Sequence, residues 1–143
     1  MIYTSYFGKV RAIRKADPSA VFVAICGGLP SYMKDGPDVR WLKPVAPKWS
    51  WWNEWRERFK DDYESEESRS FYTEKYKTTV LDNLDPLEIA ARIAENMPNG
   101  GNAYLLCYET PEKFCHRHLL ADWLNRKLGT DIREWKEKNE DEK

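Results

Sequence analysis

The chain has 143 residues and a formal net charge of −1, the length of one domain with a sizeable core. Near-neutrality excludes an overall basic field, so a nucleic-acid partner would need a local patch. Three cysteines without paired spacing do not suggest a disulfide framework and read as reduced thiols. No signal-peptide pattern and no apolar run of bilayer length is present, so the expectation is a cytoplasmic protein with no membrane partner.

In chain order, residues 1–5 are β-rich and predict a first strand. Residues 6–11 read as a loop or short turn with basic residues. The clearest strand is 20–26 (AVFVAIC), entered from Asp17-Pro18 and ended by Gly27-Gly28. Its unbroken apolar run fits the centre of a parallel sheet. Gly27 and Gly28 then lie just past a strand's carboxyl end, where open α/β sheets bind ligands and where glycine permits close backbone approach. A plain turn explains the same pair. No dinucleotide-binding glycine pattern and no Walker sequence is present.

Residues 31–48 read as a long, Pro-rich loop. Seven tryptophans is a high count for this length, and the cluster between Trp41 and Trp55 holds most of them. Trp51, Trp55 and Phe59 are spaced as a helical stripe, with Trp52 and Arg56 beside it. Aromatics interleaved with Lys43, Lys48, Arg56 and Arg58 are able to stack bases and hold phosphates. Packing of the stripe on the sheet, with one or two Trp left lining a site, is the simpler expectation.

Residues 64–69 read as an exposed turn or helix start, and 71–84 as a helix on which Tyr72, Tyr76 and Val80 form one row. The two phenols are candidate ligand donors or amphipathic core residues. Asp85-Pro86 opens the next helix, with Leu87, Ala90, Ala91, Ile93, Ala94 and Met97 as its expected buried face. Pro98-Asn99-Gly100-Gly101 ends it. Residues 103–108 (AYLLCY) form a second interior strand, and a helical turn is expected from Pro111. A helix then opens on Cys115-His116-Arg117 and buries Leu119, Leu120, Trp123 and Leu124. Gly129 stops it, a short strand follows, and residues 136–143 form a polar, frayed tail. The sum is one α/β domain over residues 1–135: a sandwich with a mostly parallel sheet flanked by helices, Rossmann-like. Right-handed crossovers would bring the ends of the two interior strands to one edge.

A thiol, an imidazole and a guanidinium at a helix mouth make the candidate site. A helix N-terminus binds anions and lowers a thiol's pKa, and Arg117 adds a planar donor fork. His116 sits in the apolar arc and is expected to point inward. Adjacent helical residues do not face one another, which disfavours a Cys115–His116 dyad and leaves Cys115 and His118 able to meet. The bland alternative is a buried structural Cys, a His satisfied by a backbone carbonyl, and an Arg paired with Glu109. A metal site from Cys107, Cys115, His116 and His118 is disfavoured, because Cys107 lies inside a strand and no paired spacing exists.

At these residues the run LLCYETPEKFCHRHLLADWL resembles the signature of the bacterial and phage domain-of-unknown-function-488 (DUF488) family. That signature reads Leu-Leu-Cys-x-Glu, then Cys-His-Arg and an apolar helix. The likeness carries Glu109, Cys115, His116 and Arg117 onto the motif, and extends to Tyr72, Tyr76, residues 81–86, Gly27-Gly28-Leu29-Pro30 and residues 42–47. Where many members have Asp-x-Arg after the second strand, this chain has Cys26-Gly27-Gly28. The resemblance implies a fold class more than an activity. The functional expectation is a small α/β enzyme or ligand-binding protein with an anion site at the Cys-His-Arg helix. Its ligand would be a nucleotide or a phosphorylated or carboxylated small molecule. Cys115, His116, Arg117 and Glu109 would be the reacting or orienting groups, and Gly27, Gly28, Tyr72, Tyr76 and Trp52 the ligand contacts. The cofactor is left unknown. The alternative is a nucleic-acid-binding or processing module using the Trp-rich loop.

Overall fold

The computed structural model describes residues 1–30, 32–33, 39–109 and 113–137. Its centre is a five-stranded, all-parallel sheet in the order β3-β2-β4-β1-β5. The strands are β1 (Ile2–Tyr6), β2 (Val21–Ala24), β3 (Val39–Trp41), β4 (Ala103–Cys107) and β5 (Arg133–Glu134). Every residue of β2 and β4 is buried, as their unbroken apolar runs require. β2 and β4 are neighbours with Ala24 opposite Leu106, so the segments that leave them emerge side by side.

Five α-helices connect the strands: α1 (Val10–Ala16), α2 (Trp49–Arg58), α3 (Glu66–Thr79), α4 (Pro86–Ala94) and α5 (His116–Leu128). Local chemistry sets several ends. The Ser65 side chain accepts from Ser68 N–H at the start of α3, and Asp85 accepts from Leu87 N–H at the start of α4. Gly129 closes α5 in the left-handed conformation (φ 70°).

Some expectations are corrected. Residues 6–11 are not simply a loop: a 3-10 turn at Phe7–Lys9 leads into α1, which buries Val10 and Ile13. The long loop holds β3, an edge strand too short to show a period. α3 starts at Glu66, earlier than the tyrosine row suggests. On α4 the buried residues are Ile89 and Ile93, while Leu87, Ala91 and Ala94 are exposed. That helix therefore presents a narrow i, i+4 strip rather than a broad face. The turn expected at Pro111 lies outside the described residues, as does the tail beyond 137. Glu137 itself is held by Lys9. No helix among the described residues is long and apolar enough to cross a membrane.

Candidate functional site

The carboxyl ends of β2 and β4 open into a cavity of about 830 Å³. Its floor is Cys26, Gly27 and Gly28 after β2, and Cys107, Tyr108 and Glu109 after β4. One wall is aromatic, with Trp49, Trp52 and Trp55 of α2, then Tyr63 and Tyr72. Phe114, packed edge-on against Tyr72, then leads with Cys115 and His116 into α5. The parallel topology thus assembles most of the expected residues at one place.

The aromatic wall is a linked set. Trp49 meets Trp52 edge-on, and Trp55 packs on Tyr63 and Tyr72. Trp55 Nε1 donates to Ser68 Oγ at 2.9 Å, which fixes the indole by its polar end. Trp51 instead turns inward and donates to Thr79 Oγ1. The stripe therefore divides, with Trp51 packing on α3 while Trp49, Trp52 and Trp55 face the cavity. Trp49 is 58% exposed, and nothing in the local spacing distinguishes it from Trp51. The Arg56 guanidinium lies 4.9 Å above the Trp52 ring. It has no carboxylate partner among the described residues.

Cys115 occupies the N-cap of α5 in an extended conformation (φ −152°, ψ 146°), and its side chain caps nothing. The helical rule against neighbours therefore does not apply to it, and this overturns the objection to a dyad. Cys115 Sγ lies 3.8 Å from His116 Nδ1. His116 Nε2 is 2.6 Å from the Ile25 carbonyl. A carbonyl only accepts, so Nε2 carries the proton and Nδ1 presents a lone pair toward Cys115 Sγ. Burial pushes the His116 pKa down to about 4, so the ring is neutral at pH 7. The inward-pointing His satisfied by a backbone carbonyl is what the structure holds, and it still leaves one nitrogen facing Cys115. His118 does not meet Cys115 through its ring. The charges that act on its ring are Arg117 and Glu134, and its Nε2 is buried without a partner among the described residues.

Arg117 is the main departure. It is fully buried and does not line the cavity. Its Nε and Nη2 grip the Glu134 carboxylate at 3.0 and 3.1 Å. Nη1 donates to the Glu109 carbonyl at 2.5 Å and lies 3.0 Å from Cys107 Sγ. Arg117 therefore does not reach the cavity as the expected anion ligand, because its donor fork is spent inside the protein. Its carboxylate partner is Glu134, 17 residues on, not Glu109. The Glu109 side chain is exposed at the cavity, and its charge acts on Tyr72.

Of the paired phenols, Tyr76 is fully buried away from the cavity and donates to the Val45 carbonyl at 2.7 Å. Tyr76 is a core residue, which corrects its expected ligand role. Tyr72 lines the cavity, and its hydroxyl has no partner among the described residues. Burial, with the nearby Tyr76 and Glu109, holds its pKa well above 10, so it is a neutral donor.

The cysteine expectation is also corrected. Cys107 and Cys115 meet sulfur to sulfur as a disulfide, while Cys26 is free and buried. Spacing gave no sign of this, because strand and helix bring the two residues together. Among the described residues no group of three or more His, Cys, Asp or Glu side chains is arranged to hold a metal ion.

A family model described as the active DUF488-N3 subclade (DUF488-N3a) matches residues 26–128. The chain belongs to the DUF488 family. The matched span runs from the end of β2 to the last residue of α5, and so contains both sides of the cavity. Comparison with curated proteins and with solved structures gave no match. The family is one of unknown function, and its fold here is the expected Rossmann-like α/β arrangement.

Proposed function

We propose that this DUF488 protein binds a small, planar, anionic compound of the nucleotide kind in the cavity and presents Cys115 to it. One observation carries the reading. A single cavity pairs a three-tryptophan wall with the uncapped first turn of a thirteen-residue helix. A ring stacks on Trp52 and Trp55, and a phosphate or carboxylate meets the leading N–H groups of α5 and the Arg56 guanidinium. Gly27 lets Trp49 pack close, Gly28 leaves room for the ligand beside the floor, and Tyr72 donates a hydrogen bond to it. In an enzyme built on this site, reduced Cys115 is the nucleophile and His116 Nδ1 takes its proton. Glu109 is one of the carboxylates that line the same space. A cytoplasmic setting belongs to this reading.

Charge favours a compact ligand over a strand of nucleic acid. Arg56, Lys60 and Lys113 share the cavity with Asp61, Asp62, Glu64 and Glu109, so the described residues form no continuous basic track there. Lys43 and Arg58 are spent over Trp41 and Phe59. Nucleic-acid binding through an inserted base is the second reading, and the tryptophan wall is its support.

The test is binding of nucleoside monophosphates and aromatic carboxylates, followed by tryptophan fluorescence and calorimetry, with short single strands for comparison. Saturable binding that Trp52→Ala abolishes supports the reading. Binding of strands alone, falling steeply with salt, replaces it with the second.

A further inference from the structure

We propose that Cys107 and Cys115 form a thiol–disulfide exchange centre that uses a low-molecular-weight disulfide as its oxidant. The proposal does not depend on which ligand fills the cavity. It stands on the surroundings of the two sulfurs, which differ from those of a stabilising bridge. Both residues are buried with the core and also border the open cavity.

Each sulfur also has its own activating group. Arg117 Nη1 stands 3.0 Å from Cys107 Sγ, a permanent cation beside the sulfur that reduction would free. A cation so placed favours the thiolate. Cys115 sits at the positive end of α5, 3.8 Å from the lone-pair nitrogen of His116. The Glu134 carboxylate holds Arg117 in position from the far side. Cys26, by contrast, donates to the Gly28 carbonyl, and burial raises its pKa.

The steps follow from access. Cys115 is 5% exposed and Cys107 1%, so Cys115 is the sulfur that an incoming disulfide RSSR meets. The Cys115 thiol gives its proton to His116 Nδ1 and attacks one sulfur of RSSR. The RS–SR bond breaks, and RS⁻ leaves and takes that proton. The Cys107 thiolate, held beside Arg117, then attacks Cys115 Sγ in the mixed disulfide. The second RS⁻ departs and takes the proton that Cys107 has lost. Two protein thiols are oxidised to one disulfide, and one RSSR is reduced to two RSH. Excess small thiol runs the sequence backwards. While the bridge is closed, Cys115 is withdrawn as a nucleophile.

The experiment uses the full chain with Cys26→Ser, fully reduced and then mixed with oxidised glutathione. Samples are quenched with a thiol-alkylating reagent and read by intact mass and peptide mapping. The expected result is loss of both free thiols, a Cys107–Cys115 linked peptide and no retained glutathione. Adding Cys107→Ser should stop the reaction at one glutathione on Cys115. Adding Cys115→Ser should leave Cys107 largely unmodified. The proposal is overturned if the Cys26→Ser protein keeps both thiols or retains glutathione as Cys107→Ser does. Circular dichroism checks that each variant is folded. If a serine variant unfolds, the linked peptide in Cys26→Ser protein decides alone. Nucleotide binding, measured on reduced and oxidised protein, reports separately on the cavity reading.

Discussion

The Glu134 carboxylate on β5 grips Arg117 on α5 with both oxygens, at 3.0 and 3.1 Å. Arg117 is fully buried and Glu134 is partly buried, with its side chain 16% exposed. This fork joins the edge strand to the helix that carries Cys115. Breaking one partner of a buried pair leaves an uncompensated charge, at a cost of about 3–5 kcal/mol. Glu134→Ala should therefore lose stability of that order in urea unfolding. Arg117→Lys should not restore it, because an ammonium lacks the planar fork.

The two tyrosines should separate in function. Tyr76→Phe leaves the buried Val45 carbonyl without its donor, which costs about 1–3 kcal/mol. Its effect on ligand affinity should be small. Tyr72→Phe should leave unfolding almost unchanged and weaken ligand binding. Urea unfolding and titration calorimetry on the same two proteins check both halves.

The depressed His116 pKa sets a pH dependence. The unfolded chain takes up this proton near pH 6.5, whereas the folded ring does so only near pH 4. Between those values the unfolded state binds more protons, so stability falls as pH falls from 6.5 to 4 and levels below that. The full effect is about 3 kcal/mol by linkage. Unfolding free energies of wild type and His116→Gln, compared from pH 7 to pH 4, should converge as acid is added. His118 shifts the same way, through burial, so both proteins should carry His118→Asn.

Gly28 offers a probe of the cavity floor. A Cβ there meets nothing within 4 Å, and its φ is not in the left-handed region. Gly28→Ala should fold normally and intrude only on a ligand. Weakened binding with an unchanged melting temperature is the expected outcome. Unchanged binding would move the ligand away from this end of the cavity.

The sequence by itself determined the two interior strands, the helix caps at Asp85 and Gly129, and the opening of α5 at Cys115–Arg117. These rest on local signals: apolar runs without alternation, capping side chains and a glycine stop. It also brought Gly27, Gly28, Glu109 and Cys115–Arg117 to one sheet edge, since parallel strands share their carboxyl ends, and all of these but Arg117 line the cavity. β3 escaped, because it is too brief to show a period. Only the tertiary structure decided what each chemical group faces. Arg117 turned from the cavity to Glu134, Tyr76 from ligand donor to core, and Cys107 from a strand residue to the partner of Cys115. Trp49, Trp52 and Trp55 were left facing the cavity while Trp51 packed inward. Each outcome depends on atoms far along the chain or on a single backbone angle, such as the extended cap at Cys115. Periodicity carries no record of either.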